Sequence, residues 1–592
     1  MGGMGTAAGA SVSGRQWASL VLLAALYAGL NAVKPLTIDD GAYFYYARQI
    51  AQHPLDPYGF SFLWYVIPWR ANEILAPPVL PYWWGATLHL SDAPWVWKAA
   101  LLPWCLLLIV ALYGLFRRFA SELALPLTWF TILSPALLPS LNLMLDIPAL
   151  ALALGAVALF LRACDRSSFG LAALAGLMAG VAMETKYTGA LAPGVMLLAA
   201  AVRGRWLLWP VAAFVAGQTF ATWELLTALL YGKSHFFMAF DDGSSLLDKI
   251  GNLPALFSLL GSVGAAGILL GLTALGTERP RLLGAAISLV FGYVLILFLD
   301  VQFTGSVSAR IFGNQAAISL YGQHAEIVFD AFAVLGGIVL VAIIWRLWTT
   351  PADGTEEAKA SRRDTLFLVL WLGLEIVGFF PLTSFPAVRR VLGIGIVVTL
   401  LLGRLAARIC RTPERRPLLK VVWGIGIALG LAHAGLDWYE AYVHKQAAET
   451  ARQFILERGG GRTWFVGHWG FQFDAERRGM EPVLLDYNWH RSDLPTGDGL
   501  KPVEVPLPPP SRLRVGDWLV VPSPRLNQQK MRLDEGQLRE EITFVFDDPV
   551  PLRTIQNFYG GQAALEHHEG PRLEVTIYRV LQDFTPVYAE GD

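Results

Sequence analysis

Asp39 and Asp40 stand side by side in TIDDGAYFYYARQI, directly after the first apolar run of the chain. A carboxylate there can serve as general base toward a hydroxyl within hydrogen-bond reach. It can also do a plainer job, since Asp is a preferred helix N-cap and a first-turn carboxylate is stabilised by the helix dipole. Capping accounts well for one of the two acids and poorly for both. Two carboxylates this close rarely both stay fully ionised, so the pair is expected to titrate unevenly.

Three further pieces carry charge in apolar surroundings. LNLMLDIPALALALG puts Asp146 at the mouth of a hairpin between two apolar spans, with Pro148 in the first helical turn, itself a good helix start. GVAMETKYTGALAPG interrupts the tip of another apolar hairpin with Glu184 and Lys186. Charges at such depth are costly and tend to be functional or paired; the plain reading is a Glu184–Lys186 pair. SFPAVRRVLGIGIVV supplies Arg389 and Arg390, whose guanidinium forks match phosphate oxygens.

The remaining polar candidates are weaker. After the acidic pair, Tyr43, Tyr46, Ala47 and Ile50 recur at helical spacing and suit a helix lying along a membrane surface, aromatic side down. His235 in YGKSHFFMAFDD could reach the same face, but reads more readily as a surface histidine at a helix end, and the same reading holds for His53. A lone histidine has no ligand set, and Cys105, Cys164 and Cys410 form no CxxC pair, so neither a metal site nor a disulfide framework follows. No essential metal is expected, with a divalent cation on the carboxylates as the alternative. His468 and Trp469 sit in a turn-like GHWG, which reads first as an apolar turn packing its domain, with sugar stacking on Trp469 as the alternative.

These residues must be held by membrane helices. The 592 residues are 54% hydrophobic and only 16% charged, with mean hydropathy +0.46, against about a quarter charged in soluble chains. Apolar runs near the ~20 residues needed to cross a ~30 Å hydrocarbon core recur throughout. About 13 spans are expected from such runs, at 15–35, 93–116, 122–139, 146–163, 169–185, 188–203, 205–230, 254–276, 281–301, 326–348, 365–381, 389–407 and 419–436. FRRF, LRACDR, VRGRW, TERPR, EEAKASRRD and RLAARICRTPERRPLLK then share one side, which the positive-inside rule makes cytoplasmic. An odd number of spans leaves Asp39, Asp40 and everything after residue 437 outside. Residues 1–14 are small and polar, expected disordered, and the apolar run behind them reads as a retained helix rather than a cleaved signal.

Beyond 437 the long apolar runs stop. RTWFVGH, PVLLDY, DWLVVP and LEVTIYRVL read as strands between turn signals, and KPVEVPLPPPSR as a polyproline connector. A soluble α/β domain over 437–592 follows, behind a membrane domain over 15–436. The formal net charge of −1 and the lack of a basic block give no reason to expect nucleic acid.

Taken in order, Asp39–Asp40, Asp146-Ile-Pro148 and Glu184-Thr-Lys186-Tyr187 resemble the glycosyltransferase C superfamily, in particular the protein O-mannosyltransferase and lipid A aminoarabinose transferase group of bacterial membrane enzymes. That group has an acidic pair in its first outer loop, D-x-P at its second, and an L-x-T-K turn two helices later. SFPAVRRVLGIGIVV is similar to a later segment, with its tyrosine replaced and an arginine doubled, and GRTWFVGHWGFQFDAERRGMEPV to one after the last span. The resemblance implies an all-α polytopic membrane bundle with a small C-terminal α/β domain in a bacterial inner membrane. It implies inverting transfer of a hexose or pentose from a polyprenyl-phosphate donor to a glycan, lipid or protein acceptor on the outer (periplasmic) face. Carried over residue by residue, Asp39 is the general base and Asp40 orients the acceptor or tunes its neighbour. Asp146 positions the first loop or the sugar. Lys186, then Arg389 and Arg390, hold the phosphate, and Tyr43, Glu184 and His235 are further substrate contacts.

Two other classes remain open from sequence. A transporter or flippase would share the many spans, but it usually shows inverted repeats and a site near the bilayer midplane, neither of which the sequence displays. A non-catalytic glycan-binding membrane protein would tolerate Asp39→Asn. No nucleotide-sugar signature is present, which favours a lipid-linked donor.

Overall fold

The computed structural model describes residues 12–74, 76–240, 249–276, 288, 320–349, 356–383, 385–409, 416–485, 508–523, 526, 529, 531–534, 536–550, 552–561, 563–567 and 570–587. Among the described residues, seven helices are long and apolar enough to cross a membrane. They are Pro94–Phe119, Asp146–Arg166, Leu208–Tyr231, Leu253–Leu275, Phe329–Thr349, Ala358–Leu382 and Arg416–Glu457. Phe169–Met183 and Tyr187–Arg203 are shorter apolar helices of the same bundle. The expected span 281–301 falls, but for residue 288, outside the described residues, as do residues 1–11 and 501–507 of the expected tail and connector.

The expected span 122–139 is not one. Helix Ala124–Ile132 has only nine residues, about 14 Å of rise, and residues 133–145 that follow it are not helical. Pro135 and Pro139 explain the break, since each lacks an N–H and crowds the preceding turn. Irregular backbone is tolerated at membrane depth only where its polar groups find protein partners. The first helix, Gly14–Ala32, and the residues after it supply them. Tyr27 donates to the Leu137 carbonyl at 2.7 Å, Asn31 to Leu138 at 3.3 Å and Lys34 to Pro139 at 3.3 Å. Tyr27 and Asn31, four apart, lie along one helical face, and Lys34 follows just past the helix end. On the other side Gly430 lets the last long helix pass directly over the Leu133 carbonyl, where any side chain would collide.

That last helix, Arg416–Glu457, runs for 42 residues from the bundle into the C-terminal domain, so the expected boundary at 437 falls inside one continuous element. Its Ala447, Ala448, Ala451 and Ile455 pack on Phe465, Val520, Val575 and Ile577 of a five-stranded sheet. The strand order is Glu481–Pro482, Thr463–Phe465, Trp518–Pro522, Leu573–Val580, Leu538–Phe546. The first three are parallel and the rest antiparallel. Three of the expected strands are present in full or in part; of PVLLDY only Pro482 joins the sheet, in the edge strand Glu481–Pro482, and its last two residues lie outside the described residues, while Leu538–Phe546 was not foreseen.

A buried polar knot joins the parts where this helix leaves the bundle. The Lys34 ammonium bonds Asp437 at 2.7 Å and the Tyr559 hydroxyl at 3.2 Å, and Tyr559 accepts from Asn142 at 2.8 Å. Removing one partner of a buried ion pair strands the other charge. Lys34→Ala should therefore cost roughly 3–5 kcal/mol, seen as a lowered melting temperature of the detergent-solubilised protein. An unchanged melting temperature would mean the knot does not hold the domain to the bundle.

Candidate active site

The first loop is built by a tight turn. Thr37 is extended, Ile38 is left-handed at φ 47°, and Ile38–Gly41 forms one 3-10 turn that leads into helix Ala42–Gln52. A β-branched residue at positive φ is strained, and the turn sends the two carboxylates to different places. Asp40 is 0% exposed. It accepts the Thr37 N–H at 3.1 Å and the Leu143 N–H at 2.9 Å, with the Lys98 ammonium 3.5 Å away. Burial pushes its carboxyl up while Lys98 and Lys34 pull it back. The expected acceptor contact of Asp40 is thus corrected: it is sealed in protein and caps the loop against the segment that carries Asp146.

Asp39 faces outward from the same turn. Its Oδ1 accepts the Tyr65 hydroxyl at 3.1 Å, and its Oδ2 lies 3.5 Å from Arg389 Nη1. That same Nη1 is 3.8 Å from Asp146 Oδ2 and 3.1 Å from Met144 Sδ. Asp146, in turn, is ion-paired and hydrogen-bonded with Lys186. Asp146 is the first residue of its helix and makes no capping bond, so the helix-start reading leaves its carboxylate unexplained and the charged row explains it. Lys186 pairs with Asp146 rather than with Glu184.

The cations differ in character. Val388–Arg390 forms a buried 3-10 turn between helices Glu356–Leu382 and Leu392–Ile409, and both guanidiniums lie over the Phe385 ring, at 5.5 and 5.1 Å. Burial works against the charge of Arg389, but Asp146 and Asp39 outweigh it and hold its pKa above the ordinary value. Burial, then Arg389, brings Arg390 down to about 10. Burial, then Arg390, brings the Lys186 ammonium down to about 7 despite Asp146.

Two clefts meet this row. One, of about 770 Å³, has Asp146, Lys186, Arg389 and Arg390 at its charged end. Its walls run down an apolar trough of Leu150, Leu154, Val157, Leu191, Val195, Phe379, Leu382 and Leu392. Glu375, which accepts the Trp371 indole N–H at 2.9 Å, is the acid within the trough. The other, of about 350 Å³, opens on Asp39 between the first loop and the C-terminal domain. Helix Trp469–Arg477 docks there at close range: a side chain at Gly470 would run into the Leu36 carbonyl, and a Cβ at Gly41 would sit 3.2 Å from that of Phe473.

Tyr43 is buried beside the row, where burial and then the charges of Asp39 and Asp146 hold its phenol protonated. Its helix does not lie aromatic side down on lipid, because Phe44 stacks on Trp97 at 3.7 Å and touches Phe473 at 4.7 Å. Glu184 is 4% exposed with neither oxygen hydrogen-bonded, and burial, then Glu224, raises it to about 9. His235 is neither at the surface nor on either cleft. Its Nδ1 is 2.6 Å from the Tyr187 hydroxyl, which donates to Glu224, and its Nε2 is 2.9 Å from the Ile74 carbonyl. His53 is exposed. Sequence reasoning missed Tyr65, Glu375 and the approach of the C-terminal domain; the glycines at 467 and 470 were the one available hint of close backbone contact.

Among the described residues no group of three or more His, Cys, Asp or Glu could hold a metal ion, and Asp39 and Asp146 share a guanidinium instead. No family model and no curated protein matches the chain. Among solved structures it is similar to the oligosaccharyltransferase of Archaeoglobus fulgidus, crystallised in complex with zinc and sulfate, at TM-score 0.40 and 13% identity. That likeness covers 78% of this chain and 62% of the other, less than two thirds of its length.

Proposed function

We propose that the chain is a membrane glycosyltransferase that moves a sugar from a polyprenyl-phosphate donor to an acceptor hydroxyl, with inversion, on the outer face of a bacterial inner membrane. The observation that carries this reading is the larger cleft, whose three cations stand at the head of an apolar trough. A phosphate on a lipid tail needs that combination, since charge-assisted donors hold its oxygens and the tail stays in an apolar groove. Asp39 stands beside the phosphate site through Arg389 and receives the proton of the acceptor hydroxyl. The acceptor oxygen bonds the anomeric carbon as the bond from that carbon to phosphate oxygen breaks. Polyprenyl phosphate departs with its negative charge on Lys186, Arg389 and Arg390. Asp146 positions Lys186 and Arg389, and Asp40 positions the loop that carries Asp39. The arginine-rich loops support a cytoplasmic far end of the bundle, where Arg118 pairs with Asp165 and Arg203 with Asp364.

The test is to supply purified protein with a set of polyprenyl-phosphate sugars and follow polyprenyl phosphate by mass spectrometry. Release that depends on the sugar offered is expected; no release from any member of the set would overturn the reading.

The depressed Lys186 adds a pH dependence. A lysine that titrates near 7 is charged below that pH and neutral above it. Donor affinity should therefore fall as pH rises through about 7 to 8. Lys186→Arg stays charged and should flatten this slope, and Lys186→Ala should remove it along with part of the affinity. Titration of polyprenyl-phosphate binding between pH 6 and 9 checks the sign. An equal slope in all three proteins would assign phosphate binding to the arginines alone.

A further inference from the structure

We propose that the smaller cleft binds a sugar ring of the acceptor, so that the acceptor is a glycan, and that His468 is the residue that holds a ring hydroxyl there. This rests on the transferase reading above and goes beyond it in naming the acceptor class.

The cleft has the chemistry of a carbohydrate site. Its walls include Phe62, Trp64, Tyr65, Trp469 and Phe473, with Asp39 at one edge. Flat aromatic faces suit the apolar face of a sugar, while its hydroxyls need a few placed polar groups.

His468 is the unexplained group. It is 1% exposed, and neither ring nitrogen makes a well-formed hydrogen bond, the Leu526 carbonyl being the one polar group close to the ring. A buried polar side chain without a partner costs free energy, so its retention calls for a ligand. The ring lies 5.0 Å from that of Tyr65, whose hydroxyl is bonded to Asp39. Burial brings the imidazole down to about 3, against the nearby Leu526 carbonyl, so it is neutral and offers one donor and one acceptor. A sugar hydroxyl can satisfy one of these two ring nitrogens. The turn that presents it is also strained, with Trp469 at φ 63°, a conformation found where function constrains the backbone.

The test uses full-length protein in nanodiscs and saturation-transfer NMR with methyl glycosides of hexoses, pentoses and N-acetylhexosamines. At least one glycoside should receive saturation at its ring protons. His468→Ala should weaken that binding about 10-fold, the worth of one good hydrogen bond, and His468→Gln, which keeps a donor and an acceptor, should restore part of it. In transfer assays the same change should raise the acceptor KM and leave donor binding unaltered, a split that general loss of folding would not produce. Binding of no glycoside, binding indifferent to both variants, or a serine/threonine peptide bound instead would each overturn the proposal. Polyprenyl-phosphate binding is measured on the same samples. Glycoside binding without donor binding would sink the transferase reading alone, and donor binding without glycoside binding would sink the glycan acceptor alone.

Discussion

Asp39→Asn is expected to lower sugar transfer by a factor on the order of 10² or more, with donor binding nearly intact. Asparagine keeps the size of the side chain and an oxygen for the Tyr65 hydroxyl, but it cannot take the acceptor's proton. Asparagine is also as good an N-cap as aspartate, so a loss of this size would have no origin in helix capping. In this loop the capping bonds belong to Asp40, which holds the Thr37 and Leu143 N–H groups. Asp40→Asn should accordingly act on the fold. It removes the charge opposite buried Lys98 and should lower the melting temperature more than the turnover per folded molecule. Transfer and thermal unfolding measured side by side for both variants decide the matter. Near wild-type transfer by Asp39→Asn would remove the general base from the mechanism.

Arg389→Ala should cost turnover about 10²- to 10³-fold, the scale seen when one preorganised partner of developing charge is lost. The guanidinium stands between Asp39 and Asp146, at 3.5 and 3.8 Å, and heads the larger cleft. Its loss would leave two carboxylates facing the place where a phosphate becomes more negative. Arg389→Lys should recover little, because a point charge cannot face two carboxylates and a phosphate from one fixed fork. Single-turnover rates with saturating donor isolate this effect from binding. If Arg389→Ala keeps its single-turnover rate and only binds donor less tightly, the arginine anchors the ground state and does not stabilise the departing phosphate.

Much of the row was legible because its members are charges in apolar sequence. Asp39, Asp146, Lys186, Arg389 and Arg390 come from four separate stretches, and charges at that depth are costly enough to single them out even where a cap or a local pair offered a plainer reading. Their division of labour was not legible. Whether Asp39 or Asp40 is sealed depends on one left-handed residue, Ile38, whose type gives no hint of positive φ. Lys186 has an acid two residues away in Glu184 and pairs instead with Asp146, forty residues away, a choice made only by tertiary packing. His235 shows the converse: its loop could be placed at the right face, but Glu224 and Tyr187, which claim it, lie on other elements. Among the helices, the span that failed carried its own warning in Pro135 and Pro139. The Leu538–Phe546 strand was hidden because Glu540 and Glu541 interrupt its apolar alternation.

The continuous helix Arg416–Glu457 has a consequence for the acceptors of the proposed transfer. Forty-two residues rise about 63 Å, roughly twice the hydrocarbon thickness of a bilayer. No proline follows Pro417 to give it a joint. It acts as a mast, and the knot of Lys34, Asp437 and Tyr559 steps that mast into the deck. The second cleft is then held at one fixed distance from the bundle. In the proposed transfer, selection would work by reach as well as by shape: a hydroxyl on a stalk meets Asp39 only if the stalk matches that distance. Lengthening or shortening the mast by a whole turn would therefore carry His468 and Trp469 away from Asp39 and Tyr65 and take the second cleft apart.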